Sequence, residues 1–305
     1  MNAREKTEAM RTLVHLSDIH FGRIDYQLVD PLVKFVTELK PDVVVISGDL
    51  TQRARAEQFK EARAFLDRLP QPQVVVPGNH DVPLYNILAR FLTPLDNYRR
   101  YISDDLAPFY MDDEIAVVGI NTARSLTFKG GRINEEQVAM IRERMCALKD
   151  GMTKIVVTHH PFDVPVGHDE DALLGRAEMA MQTLARCGAD VLLAGHIHLS
   201  HIGHTATRYR IEGHSALIIQ AGTATSTRGR GETNSFNVIR VNHPGIEVER
   251  VTWQPETARF IPFHTERFHH TLTGWMRLTD TPSTVDETIA TIAEETNSPN
   301  EAEQL

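Results

Sequence analysis

The chain alternates short, almost wholly apolar runs with longer stretches in which apolar residues recur every three or four positions. Residues 12–16, 42–46, 73–76, 115–119, 154–158 and 190–194 are of the first kind. Runs this short and this rich in Val, Ile and Leu are expected of strands buried on both faces. Residues 26–39 carry Leu28, Leu32, Val33, Phe35, Val36 and Leu39 at helical spacing, and Pro41 stops the pattern. Residues 54–69 set Phe59, Ala62, Phe65, Leu66 and Leu69 on one helical face, and 134–148 and 177–187 also read as helices. Strand and helix in alternation predict an α/β fold.

After residue 194 the character changes. Residues 205–211, 215–220, 236–241 and 247–253 read as strands separated by turn residues, which predicts a mostly antiparallel second sheet. Residues 82–113 are rich in aromatics and prolines, as short helices and loops would be. They suit a surface lid or substrate wall, or equally a packed connection. The expected division is an N-terminal extension over 1–11 and a main domain over 12–255. A C-terminal extension follows over 256–278, able to form an edge strand or cover a partner surface. Residues 279–305 read as a disordered acidic tail.

Several apolar runs end in Asp, Asn or His. In order these ends are Asp18-Ile19-His20, Gly48-Asp49, Gly78-Asn79-His80-Asp81, Thr158-His159-His160 and Gly195-His196-Ile197-His198. An apolar run ending in a polar ligand is how a buried strand delivers that ligand to one rim of a sheet. Any one of these residues alone reads as an ordinary half-buried histidine or, for Asp49, a helix N-cap. As a set, Asp18, His20, Asp49, Asn79, His159, His196 and His198 are chemically coherent. Carboxylate, imidazole and amide oxygen suit hard and borderline divalent ions, and thiolate is missing from the set. Seven ligands exceed the need of one open catalytic ion, and suit two ions sharing a carboxylate.

Charge narrows the function. Of the formal net charge of −9, seven units come from residues 279–305, which hold seven acids and no Lys or Arg. The rest is nearly neutral and shows no basic track, so no nucleic-acid polymer is expected as partner. No apolar run is long enough to span a bilayer, and residues 1–11 are polar, unlike a secretory leader. Only Cys146 and Cys187 are present, 41 residues apart. This spacing suggests no disulfide framework, and a reduced, cytoplasmic setting is expected.

The five blocks resemble the calcineurin-like metallophosphoesterase superfamily over about residues 12–255. Within it, Leu16-Ser17-Asp18-Ile19-His20 and the segment from Gly222 to Arg228 resemble bacterial class III cyclic nucleotide phosphodiesterases and glycerophosphodiesterases. The resemblance implies a four-layer αββα sandwich of two mixed β-sheets flanked by helices, with a dinuclear metal site at the C-terminal rim of the strands. It implies that Asp18, His20 and His198 hold one divalent ion, that Asn79, His159 and His196 hold the other, and that Asp49 bridges them. Manganese or iron come first, with zinc, cobalt or nickel as alternatives. His80 would meet the phosphate or protonate the leaving oxygen, and Asp81 would orient His80 by accepting its other ring proton. Substrate contacts are assigned to Arg124, His160, Thr225 and Arg228, each against the plainer reading of a packing or surface residue.

The implied activity is hydrolysis of a small phosphodiester by a metal-bridging hydroxide. The expected substrate is 3′,5′-cyclic AMP or 2′,3′-cyclic AMP. A glycerophosphodiester is the alternative, as is a lipid pyrophosphate or phosphomonoester on the same fold. Lys and Arg are sparse in sequence beside the blocks, with Arg23 and Arg53 nearest, which favours a diester over a monoester. A non-catalytic scaffold is disfavoured because every ligand position is filled. The resemblance also implies a homodimer as one arrangement.

Overall fold

The structure, a computed structural model, describes residues 10–279 apart from 128, 150, 229 and 230. The expected disordered tail, from residue 280 on, and residues 1–9 lie outside the described residues. The first half is built as the apolar runs predict. Strands β1 (Arg11–Leu16), β2 (Val43–Ser47) and β3 (Gln73–Val76) lie parallel, linked by helices α1 (Val29–Leu39) and α2 (Ala56–Leu66). Two short helices, α3 (Ile87–Leu92) and α4 (Asp96–Tyr101), and the edge strand β4 (Phe109–Met111) lead to β5 (Ile115–Gly119). Then come α5 (Glu135–Met145), β6 (Thr153–Val157), α6 (Ala177–Arg186) and β7 (Val191–Ala194). The remaining strands are β8 (His201–His204), β9 (Leu217–Gln220), β10 (Ser235–Asn242), β11 (Gly245–Gln254), β12 (Arg259–Thr271) and β13 (Gly274–Leu278).

They form two mixed sheets, ordered β13-β12-β11-β10-β1-β2-β3 and β4-β5-β6-β7-β9-β8. The two-residue period of the strands sorts side chains into three cores. In β2, Val44 and Ile46 face outward with Leu32 and Val36 of α1 and Phe59 and Leu66 of α2. Val43 and Val45 face inward and meet Val117, Ile155 and Leu193 of the second sheet. The far side of the second sheet packs Val156 and Leu192 against Ile141 and Met145 of α5 and Leu184 of α6. The result is the expected four-layer αββα sandwich.

The later strands depart from expectation. Residues 205–211 form no strand; β8 lies earlier, and a single 3-10 turn over Thr205–Thr207 follows it. Nor do the late strands make a sheet of their own. β9 pairs parallel with β7, and β10 returns to pair antiparallel with β1, with Leu13 opposite Ile239. The reason is burial on both faces: Phe236 and Val238 of β10 join the outer core, while Ile239 and Val241 join the inner one. Such a strand belongs mid-sheet. β12 and β13 continue this sheet through β11, and Trp275 donates from Nε1 to Asp190 Oδ1 at 3.1 Å.

Cys146 and Cys187, expected as free thiols, form a disulfide. They are the C-terminal caps of α5 and α6, with Cα atoms 4.1 Å apart. Two helices lying side by side bring them together, which a spacing of 41 residues does not reveal. Among the described residues, no helix is long and apolar enough to cross a membrane.

The connection over 82–113 is packed on one side and open on the other. Tyr98 is buried and donates its hydroxyl to Val75 O at 2.9 Å. Arg90 is buried too, donating to Ser125 O and Pro83 O at 2.7 and 2.9 Å. The other face exposes Tyr85, Ile87, Leu88, Phe91 and Leu92.

Candidate metal centre

Because β1–β3 run parallel, as do β5, β6, β7 and β9, their C-terminal ends share one rim. Each of the seven ligand candidates follows β1, β2, β3, β6 or β7 at that rim. Asp18, His20, Asp49, His196 and His198 have left-handed backbones, with φ between 52° and 74°. Such a conformation costs a non-glycine residue about 1–3 kcal/mol and persists only where the surroundings impose it. Here Asp18 N donates to Gly48 O at 3.2 Å, and His20 N to Asp49 O at 2.9 Å. Two glycines leave the needed room. A Cβ on Gly78 would sit 2.1 Å from Asp49 Oδ1, and one on Gly195 would sit 1.8 Å from Ser17 Oγ.

Two donor sets converge. His198 Nε2 and His20 Nε2 lie 3.1 and 3.5 Å from Asp18 Oδ1, and 3.3 Å from each other. Beside them, Asn79 Oδ1 lies 3.1 Å from His159 Nε2 and 3.0 Å from His196 Nδ1. Asp49 Oδ2 stands between the sets, 3.6 Å from His20 Nε2 and 3.4 Å from His159 Nε2. Ligands about 2.0–2.2 Å from a common ion lie roughly 3.0–3.6 Å from one another, so these spacings are those of coordination polyhedra.

The other oxygens are already held. Asp18 Oδ2 accepts from Ser17 Oγ and His196 N at 2.7 and 3.0 Å, and Asp49 Oδ1 accepts from His80 N at 2.8 Å. Among the described residues, Asp18 Oδ1 is buried with no hydrogen-bond partner. His159 Nδ1 donates to Ser47 O at 2.8 Å, which turns the lone pair of Nε2 into the site once the ring is neutral.

Charge fits the same reading. Burial opposes ionisation of Asp49, but His159, His80 and His20 hold its carboxyl well below the usual range. Burial also opposes a charged His159, yet the Asp49 carboxylate overrides it and raises the pKa to about 9. Burial likewise opposes Asp18, which the neighbouring His198 holds well below its usual value. Two buried carboxylates kept ionised need positive charge between them, and divalent ions supply it.

His160 also has a nitrogen near His159 and His196, but both of its nitrogens are taken. Nε2 donates to Lys129 O at 2.8 Å, so Nδ1 accepts from Thr122 Oγ1 at 2.8 Å. Its ring braces the loop that carries Thr122 and Lys129.

Asp81 does not meet the His80 ring as expected. Its Oδ1 accepts from Thr51 N and Thr51 Oγ1, and its Oδ2 accepts from Leu50 N and Gly78 N, at 2.8 to 3.1 Å. The carboxylate therefore clasps the loops that carry Asp49 and Asn79. His80 Nδ1 instead donates to Gln52 O at 3.0 Å, and His80 Nε2 accepts from Arg228 Nη1 at 2.9 Å. Sequence reasoning missed Gln52 because its backbone carbonyl makes the contact. Asp81→Asn is expected to lower metal affinity about 10–100-fold, the usual cost of losing an outer partner. An amide cannot accept from all of these donors. Titrating manganese into metal-free variant and wild type checks this.

The remaining substrate candidates separate. Arg228 stands at the site, against His80. Thr225 is buried and donates to Ile19 O at 3.0 Å, so it fastens the β1 loop. Arg124 lines a different cavity, with Arg132 and Arg176. The expected scarcity of cations does not hold in space. Burial lowers the Arg228 pKa, Asp49 opposes, and repulsion from Arg23 and then Arg53 lowers it further. Arg23 is brought there by its carbonyl, which accepts from Thr227 N at 3.1 Å.

A family model described as calcineurin-like phosphoesterase matches residues 11–200. The chain is 24% identical over 201 residues to a protein of Arcobacter nitrofigilis named as a probable glycerophosphodiester phosphodiesterase, covering 61% of this chain and 71% of that one. It is 25% identical over 284 residues to a cAMP/cGMP dual specificity phosphodiesterase of Mycobacterium tuberculosis, covering 82% of each. Among solved structures it is similar to a purple acid phosphatase from yellow lupin seeds, with a TM-score of 0.61 at 11% identity. That match covers 85% of this chain but only 54% of the lupin protein, and it concerns the fold alone.

Proposed function

The chain belongs to the calcineurin-like phosphoesterase family, and from that premise we propose that it is a metal-dependent hydrolase of a small phosphodiester, a cyclic nucleotide ahead of a glycerophosphodiester. The observation that carries this reading is the Asp49 carboxylate, whose Oδ2 lies between the two converging donor sets. Asp18, His20 and His198 would hold one ion, Asn79, His159 and His196 would hold the other, and Asp49 would serve both. Divalent ions bound there would neutralise phosphoryl oxygens and lower the pKa of bound water.

The chain's own groups do the rest. Arg228 leaves His80 Nε2 for a non-bridging phosphate oxygen, where its planar fork is matched to two oxygens. His80 is thereby freed at Nε2 while Nδ1 stays tied to Gln52 O. Once free, Nε2 takes up a proton from solvent, and the imidazolium hands that proton to the leaving alkoxide as the P–O bond breaks, returning to the neutral ring. Burial lowers the pKa of His80, Asp49 raises it and His20 lowers it again, so the resting ring is neutral and the imidazolium, once formed, gives up its proton readily. Arg228→Gln is expected to remove a charge-assisted contact of about 1.5–3 kcal/mol. A rise of at least about tenfold in KM with little change in metal content would register it.

One observation favours a second reading. Arg23 and Arg53 near Arg228 provide charge for the extra anionic oxygen of a phosphomonoester. A substrate panel on manganese-loaded protein decides. It compares 3′,5′-cyclic AMP, 2′,3′-cyclic AMP, glycerophosphocholine, bis(p-nitrophenyl) phosphate and p-nitrophenyl phosphate. Higher kcat/KM on a cyclic nucleotide than on the others is expected. Preference for p-nitrophenyl phosphate would move the assignment to a monoesterase, and hydrolysis of none of them would contradict both.

A further inference from the structure

A second cationic cavity opens on the same rim, beyond His160. Arg124 comes from the loop after β5, Arg132 from the loop before α5, and Arg176 from the turn into α6. With Asn121, Asn134 and Gln137 they line a cavity of about 380 Å³. Among the described residues, none of the three arginines has a carboxylate partner. Desolvation, then repulsion from Arg176 and Arg124, lowers the pKa of Arg132. The acids of the α5 first turn, Glu135 and Glu136, are exposed and do not line the cavity.

The neutral lining is turned the same way. Asn121 Oδ1 accepts from Ala123 N, Asn134 Oδ1 from Gln137 N, and Gln137 Oε1 from Asn134 N, at 2.8 to 3.0 Å. The acceptors are thus spent on the protein. The amide groups of Asn121 and Asn134 remain as donors, beside three guanidinium groups. Arg176 is held in the left-handed region, at φ 64°, at the N-terminal cap of α6. Like charges gathered without a counter-charge repel each other, at a cost that an anion between them would reverse.

We propose that this cavity is a binding site for a second phosphoryl-class anion, separate from the metal centre. Guanidinium forks match tetrahedral oxyanions in pairs, and three arginines around one cavity disfavour a cationic ligand. Thr122 and His160 stand between the two sites. Arg132 N donates to Thr122 O at 3.1 Å, Thr122 Oγ1 donates to His160, and the His160 ring lies 4.6 Å from that of His196. The anion is either the distal phosphate of a larger substrate or a free phosphorylated ligand.

The test is calorimetric titration of inorganic phosphate into the full chain loaded with manganese, at low ionic strength. Wild type is expected to bind phosphate at two sites. R132Q/R176N, in which Asn tolerates the left-handed position, is expected to keep the metal-centre site and weaken the other at least tenfold. Its metal content and turnover of bis(p-nitrophenyl) phosphate should stay within twofold of wild type. R124Q in the same titration supplies a second reading should the double variant lose its fold. The source is separated by a dinucleoside monophosphate with and without a terminal 5′-phosphate. A preference for the phosphorylated form that R132Q/R176N abolishes assigns the site to substrate. Equal KM values with the phosphate site weakened assign it to a free ligand. Phosphate binding of equal stoichiometry and affinity in wild type and variants would overturn the proposal. So would a single phosphate site in wild type.

Discussion

Asp49→Ala is expected to empty both ion positions together and to leave hydrolysis at the level of metal-free protein. Each donor set has three other members, so loss of a private ligand should weaken one ion more than the other. Asp49 differs because Oδ2 lies within 3.6 Å of an imidazole from each set. Its removal also leaves the His20 and His159 rings without the carboxylate that stands between them. The variant should fold, because the loop is held independently by Asp81 through Leu50 N and Thr51 N. Metal content by elemental analysis, beside circular dichroism, checks the outcome. Full retention of one ion with loss of the other would show that Asp49 serves a single ion.

His80→Ala should do the reverse, keeping metal near the wild-type level while lowering turnover about 10²–10⁴-fold, the range for removal of a general acid. The ring ligates nothing in this arrangement. Its Nδ1 goes to Gln52 O and its Nε2 to Arg228. The contact that matters for the ions is the backbone one, from His80 N to Asp49 Oδ1, and alanine keeps it. Because Arg228 rests on His80, H80A and R228Q should combine less than additively in kcat/KM. Metal loss in H80A would mean that the ring is a ligand after all.

The metal-bearing rim was legible because a buried strand announces itself. Residues 43–46 and 191–194 are apolar without a break, and the polar residues that follow have nowhere to go but the rim. The contacts that tune the site were less legible. Gln52 acts through a carbonyl, which no side chain signals. Asp81, next to His80 in sequence, turns to Leu50 N, Thr51 N and the Thr51 hydroxyl, 30 or 31 residues away, and to nearby Gly78 N, since four donors outweigh one ring proton. Arg23, Arg53 and Arg228 are far apart along the chain and meet only because the Ser226 region bridges to Ile24. Residues 205–211 misled for a local reason: their β-like composition is spent on a 3-10 turn, with Thr205 buried and Tyr209 donating to Phe162 O at 2.6 Å. The place of β10 beside β1 is a long-range pairing that turn signals between neighbouring strands could not reveal.

In the proposed centre two ions share Asp49, with Asn79 rather than His160 completing the second set. Anomalous diffraction from crystals of the manganese-loaded protein tests it most directly. Two peaks about 3.5–4 Å apart are expected, one on each side of Asp49 Oδ2, with Asn79 Oδ1 beside the second. His160 should remain bonded to Thr122 and Lys129. A single peak, or a second peak ligated by His160 with Asn79 turned away, would rule out this arrangement.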